Sequence, residues 1–203
     1  MSVTLCELIS ARRSIRRYQP RLVEPDKLEG VLQAARAHGR APLRTPDWLP
    51  DSARDAPSAG NLQSFEIVVV TRPQSRAALC EAALGQESVA QAPVVLVFLM
   101  DAARSARVYG TRGADLYVIQ DTAIACAYAQ LAATSLGLGS CWIGAFHAGA
   151  VGRLVQAPQH LIPSALLTVG YADEAPDPTP RRRLDELAHR EAYGAADGRQ
   201  EME

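Results

Sequence analysis

Lysine is almost missing from this chain. Of 21 basic side chains, Lys27 alone is a lysine, so a preference for arginine at any one place carries little information by itself. The chain also lacks an excess of charge. A formal net charge of −1 excludes a whole-protein binder of polyanions and leaves room only for local anion sites. Cysteine is sparse: Cys6, Cys80, Cys126 and Cys141 are scattered, with no C-x-x-C pair. That spacing excludes a disulfide framework and a thiolate zinc site, and it predicts buried free thiols in a reducing cytoplasm. The N-terminal "MSVTLCELISARRS" has no apolar run with a charged start and a cleavage site, so no signal peptide is expected. The longest apolar region, about 114–139, is interrupted by Asp115, Gln120, Asp121 and Gln130, and reads as a buried helix, not a membrane span. His38, His147, His160 and His189 stand apart, with no H-E-x-x-H or G-x-S-x-G around them. No nucleophile–base set and no metal site are therefore expected.

What is present is an ordinary core-forming chain. Its 203 residues are 48% hydrophobic, enough for one well-cored domain or two small ones. Helices are predicted over 3–11, 24–37, 73–84, 114–136 and 148–156. Pro25 suits a first helical position, and Leu28, Val31, Leu32 and Ala35 repeat at helical spacing. Strands are predicted at "FEIVVVT" (65–71), 92–100, 140–146 and 164–172. Residues 38–56, with Pro42, Pro46 and Pro50, read as a loop or small insertion, and "RVYGTRG" (107–113) as a break. No internal repeat is visible, and helices precede the first strand. The order suggests an α+β fold, a sheet with helices packed on it. A helix as apolar as 114–136 needs cover on a second face, which an interface with another copy would supply.

Four segments could carry chemistry. The first is "RRSIRRYQP" (12–20), where Arg12, Arg13, Arg16 and Arg17 crowd around Ser14 with no acid before Glu24. Guanidiniums fork onto phosphate oxygens, and a hydroxyl adds one more donor. In an extended chain Arg12, Ser14 and Arg16 share one side, with Arg13 and Arg17 pointing elsewhere. The same pattern also suits a solvated basic stretch after a helix C-terminus. The second is "APSAGNLQSFE" (56–66) before the first strand. Its small residues permit close backbone approach to a flat heteroaromatic ring, with Asn61 and Gln63 at the ring's edge; it also suits a plain polar loop. The third is "SLGLGSCWIGAF" (135–146), whose glycines follow a helix and precede a strand. That order is the reverse of a dinucleotide fingerprint and fits a helix C-cap. The fourth is "PTPRRRLDEL" (178–187), either a self-paired tail or a second grip on a shared phosphate. A ligand-shaped set of contacts without acid–base machinery points to a cofactor that does the chemistry itself.

In this order, "RRSIRRY", "APSAGNLQSFEIVVV", "YGTRGADLYVIQDTAIACAYAQLAATSLGLGSCWIGAF" and "LLTVGYADEAPDPTPRRRL" resemble the FMN-dependent nitroreductase family, over about residues 5–187. The resemblance implies an intertwined homodimer, each chain a single FMN-binding domain over 1–187 with a polar tail at 188–203. A mostly antiparallel central sheet would be flanked by helices, with two FMN sites at the interface. It implies that Arg12, Arg13, Ser14 and Arg16 form the N-terminal flavin motif. Pro57, Ser58 and Asn61 would belong to the loop offered to the partner's flavin. Ile143, Gly144 and Ala145 would form the strand end whose backbone N–H reaches flavin N5, and Arg181 and Arg183 the C-terminal pair closing on phosphate. The implied activity is NAD(P)H-dependent, ping-pong hydride transfer to nitroaromatics, quinones or similar small acceptors, with no catalytic side chain. No nucleic acid or membrane partner is implied, and a cytoplasmic location fits. Specialised enzymes of the same fold (flavin-destroying, dehalogenating or dehydrogenating) and a flavin-binding protein without turnover remain as alternatives. Two departures stand out. Ser64-Phe65 replaces the family's Pro-aromatic pair and is expected to loosen the loop, and 38–55 is a longer link, either a lid on the pocket or an inert surface insertion.

Overall fold

The computed structural model describes residues 4–35 and 56–194. The insertion or lid read at 38–55 lies outside the described residues. Thr4 opens the first helix, α1 (Leu5–Ala11), through a capping box with Glu7. After an extended stretch comes α2 (Pro25–Ala35), then a single 3-10 turn at Ala59–Asn61. The rest runs β1 (Phe65–Val70), α3 (Pro73–Ala82), α4 (Glu87–Gln91), β2 (Val94–Asp101), α5 (Ala102–Arg112), α6 (Val118–Ser135), β3 (Gly139–Ile143), α7 (Ala148–Leu154) and β4 (Leu161–Gly170). A last 3-10 turn spans Leu184–Glu186.

All four strands join one antiparallel sheet, in the order β1-β2-β4-β3. β2 lies inside it and is buried on both faces. Val94, Leu96 and Phe98 pack with Leu167 and Val169 of β4 and with α2 and α6. Val95, Val97 and Leu99 pack with Leu166 of β4, Cys141 and Ile143 of β3, and with α3 and α7. Two covered faces are why β2 reads as an unbroken hydrophobic run with no alternation. Small residues let α6 lie close on the sheet: Ala125, Ala129 and Ala133 have no exposed surface. α2 crosses α6, with Gly30 beside Leu136.

The α+β expectation and the four strands hold, with corrections to their ends. β3 stops at Ile143, leaving Gly144–Phe146 outside the strand, and β4 begins at Leu161. The helix expected over 114–136 begins at Val118, after a π-helical turn at Gly113–Tyr117. Two helices escaped the sequence reading. The five-residue α4 is too short for periodicity to show. α5 hides in a polar stretch, begins where Asp101 accepts the Arg104 N–H, and is kinked at Gly110, with φ 55°. The break expected at 107–113 is that kink. Among the cysteines, Cys126 and Cys141 are buried as expected, but Cys6 is exposed and Cys80 half-buried; all four are free. Among the described residues, no helix is long and apolar enough to cross a membrane, and no cluster of side chains could hold a metal.

Candidate functional site

The arginine segment lies along the outer edge of β3. Ser14 forms a parallel bridge with Ser140, and the Ile15 N–H donates to the Ser140 carbonyl at 2.9 Å. Tyr18 bridges Ala172 in the antiparallel sense. Ile15 and Tyr18 are buried, and both press against glycines: a Cβ at Gly139 would meet Ile15 at 2.8 Å, and one at Gly170 would meet Tyr18 at 2.9 Å. The Tyr18 hydroxyl lies 2.7 Å from the Ile15 carbonyl and 2.6 Å from Thr168 Oγ1. Burial pushes the Tyr18 phenol well above its ordinary value, so it stays protonated. Glu174 accepts the backbone N–H groups of Arg16 and Arg17 and pairs with the Arg17 guanidinium at 3.4 Å. Those amide bonds hold the Glu174 carboxyl below its usual range.

These anchors sort the arginines as the alternation predicts. Burial raises the Cys141 thiol; the Arg16 guanidinium, the Ser14 hydroxyl and the Arg12 guanidinium oppose that rise, and the Glu174 carboxylate adds to it. Arg13 turns away and donates to the Ser10 carbonyl at 2.6 Å, at the C-terminal end of α1. Arg17 turns to Glu174. Among the described residues, the guanidiniums of Arg12 and Arg16 have no hydrogen-bond or ion-pair partner.

The loop 57–64 is bonded to the body of the protein at several points. Gly60, Asn61 and Gln63 all have left-handed φ, at 54°, 55° and 51°, a strained run for two non-glycine residues. Ser58 Oγ accepts the Gln63 N–H at 3.0 Å, and Asp121 Oδ1 accepts the Ala59 N–H at 2.8 Å. From α5, Arg104 donates to the Gln63 carbonyl at 2.8 Å, and Tyr109 places its hydroxyl 2.5 Å from where a Gly60 Cβ would sit. Ser64 is fully buried, and its carbonyl accepts the Asp101 N–H at 3.0 Å. That main-chain bond ties position 64 to the end of β2, and the Ser64 hydroxyl itself is buried without a partner among the described residues.

At the end of β3, Ile143 is buried while Gly144 and Ala145 are exposed. A Cβ at Gly144 would meet nothing within 4 Å, and Gln86 donates to the Ala145 carbonyl at 2.8 Å. Arg181 and Arg183 lie on an exposed segment. Arg181 donates to Thr179, and Arg183 grips Asp185 through Nε at 3.0 Å. Among the described residues, no hydrogen bond or ion pair joins this run to 12–16.

Sequence reasoning missed Tyr18, Thr168, Glu174, Arg104 and Asp121. Each acts on a segment far away in the chain, so no local pattern marks it. Asp121 left the one usable sign, an acid inside an apolar helix.

The chain matches the Nitroreductase family over residues 9–171. It belongs to that family. An oxygen-insensitive NADPH nitroreductase of Salmonella typhimurium is 30% identical, over 97% of this chain and 77% of its own. An NADH dehydrogenase of Thermus thermophilus is 30% identical, over 87% of this chain and 90% of its own. Among solved structures, the NADPH:FMN oxidoreductase of Vibrio harveyi complexed with NAD+ superposes with a TM-score of 0.77 at 27% identity. That match covers 93% of this chain and 77% of the other. The four-stranded α+β architecture is thus the nitroreductase fold.

The residues present fit FMN. Arg12, Arg16 and Ser14 supply two forked cations without acidic partners and a hydroxyl, the donor set a phosphate dianion requires. The open space at Gly144 leaves backbone accessible at the end of β3.

Proposed function

We propose that this nitroreductase-family chain is an NAD(P)H-dependent FMN oxidoreductase. It reduces a small oxidised acceptor, such as a nitroaromatic or a quinone, in two half-reactions at one site. The observation that carries this reading is that Arg12 and Arg16 flank Ser14 where it bridges the β3 edge, with both guanidiniums lacking a partner among the described residues. Guanidiniums without partners leave forked donors that a phosphate would satisfy.

Bound FMN supplies the hydride chemistry, accepting from the nicotinamide and passing on to the acceptor. The chain's own part is electrostatic and positional. Arg12 and Arg16 hold the phosphate, each charge-assisted bond contributing about 1.5–3 kcal/mol. Arg13 has a different part here, closing the C-terminal end of α1. Arg181 and Arg183 reach the same phosphate from the C-terminal side, Arg183 by giving up Asp185. Backbone N–H at Ile143–Ala145 meets the ring edge, and Gly144 leaves that approach free of side chain. Pro57, Ser58 and Asn61 sit on a strained, pinned turn that a second copy's flavin would meet, which makes the homodimer the working unit. The exposed apolar side chains of Leu5, Ile9, Val108 and Ile119 give such a copy something to cover.

The test is a titration of purified protein with FMN, followed by steady-state oxidation of NADH and of NADPH with menadione or a nitroarene. Turnover with bound flavin supports the reductase. Bound flavin without turnover makes the chain a flavin carrier, and colourless protein that takes up no FMN overturns both.

A further inference from the structure

Asp121 is out of place in α6. It is 2% exposed, amid a helix otherwise buried through Val118, Ala125, Cys126 and Ala129. Its Oδ2 atom has no partner among the described residues, an arrangement that carries a desolvation penalty. An apolar side chain would avoid that penalty. What Asp121 does make is one bond across 62 positions of sequence, from the Ala59 N–H to Oδ1 at 2.8 Å.

That bond reaches the amide that begins the turn Ala59–Asn61. Ser58 precedes the turn in the capping position, yet its hydroxyl does not cap the turn's own amides; it accepts from Gln63 instead. The turn is thus capped from outside, by a rigid helix packed on the sheet. Immediately beyond lie Gly60 and Asn61 in left-handed backbone, a conformation that persists only where the surroundings hold it.

We propose that Asp121 is a positioning residue for the flavin: by capping the Ala59 amide it holds the 57–61 turn in the shape that Pro57, Ser58 and Asn61 need to meet the ring. The inference rests on the FMN reading above and adds the residue that sets the turn's geometry. The requirement is for a buried acceptor oxygen, not for a charge, so asparagine suffices and alanine does not.

Three variants test it, read by FMN dissociation constant from flavin fluorescence quenching and by amide hydrogen exchange of residues 59–63 in the apoprotein. Asp121→Ala weakens FMN binding roughly tenfold, as expected for one buried bond to a strained turn, and speeds exchange at Ala59. Asp121→Asn stays within about twofold of the parent on both readouts. Ala59→Pro removes only the donor; Ser58 is already extended, at φ −139° and ψ 154°, as a residue before proline prefers. It reproduces the loss, and combining it with Asp121→Ala adds nothing further. A parent-like FMN constant in Asp121→Ala or Ala59→Pro, or a loss in Asp121→Asn equal to that in Asp121→Ala, overturns the proposal. Should Asp121→Ala fail to fold, Asp121→Asn and Ala59→Pro decide it alone. If the parent protein binds no FMN, the flavin reading falls, and exchange at Ala59 alone decides whether Asp121 holds the turn.

Discussion

Two arginine-rich runs in this chain have opposite physical situations. The run at 12–17 is laced to the body of the protein. Ile15 and Tyr18 are buried, the Tyr18 hydroxyl bonds to β4, and Glu174 holds two backbone amides. The run at 181–183 is exposed and bonded within its own neighbourhood, Arg183 to Asp185 and Arg182 to Glu186. The first therefore has its backbone anchored before any ligand arrives, with the Arg12 and Arg16 guanidiniums free of competing partners among the described residues. The second must trade existing partners for a new one. Pre-organised charge binds more tightly for the same chemistry, because ordering costs are met during folding.

Removing the unpaired charges of the first run has the largest expected effect. Arg12→Ala and Arg16→Ala each weaken FMN binding roughly tenfold to a hundredfold, the equivalent of about 1.5–3 kcal/mol, measured by flavin fluorescence titration. Arg13→Ala changes it little, because that side chain serves the end of α1. Next comes the lacing itself. Tyr18→Phe leaves the ring's packing but removes the hydroxyl from Ile15 and Thr168. It should lower stability by about 1–2 kcal/mol in urea unfolding and loosen FMN a few-fold without touching any proposed ligand. A third comparison sharpens the self-paired run. Arg183→Ala weakens FMN less than Arg12→Ala does, and Asp185→Ala leaves affinity equal or slightly tighter by releasing Arg183. If Arg183→Ala proves the more damaging, the order of the two runs is reversed.

The smallest effect concerns the far end of the laced segment. Glu24 accepts from the Tyr171 hydroxyl at 2.6 Å and from Arg21 at 2.6 Å, and these bonds lower its carboxyl to about 2. A folded-state value below the unfolded one means the stabilisation is complete above the ordinary 4.5 and is lost as pH falls toward about 2. Glu24→Gln should flatten that part of the stability–pH curve, read by thermal unfolding between those limits, and change nothing at neutral pH beyond a uniform offset.

Much of the fold was legible in local pattern. "VVLVFLM" reads as a strand because β-branched and large apolar side chains in a short unbroken run need cover on both faces, and β2 has it. Pro25 and Pro73 mark helix starts where a missing N–H costs nothing. α5 was not legible. It is polar overall and buries little, and Gly110 argues for a break, so the kink is legible while the helix it interrupts is not. In the site, the alternation of Arg12, Ser14 and Arg16 was readable, since a two-residue period is a property of extended backbone. That Arg13 folds back on α1, and that the Ser64 carbonyl bonds to the end of β2, were not.

The sequence by itself determined the elements whose cause is local: which runs are apolar on which period, where proline and glycine interrupt them, and which arginines share a side. Only the tertiary structure decided what those elements serve. Asp121 is near Ala59, Tyr18 near Thr168 and Glu174 near Arg16 because the sheet and α6 bring together positions 62, 150 and 158 residues apart. A single hydrogen bond closed over such a loop leaves no periodicity behind, since its entropic cost is met by the whole packed core.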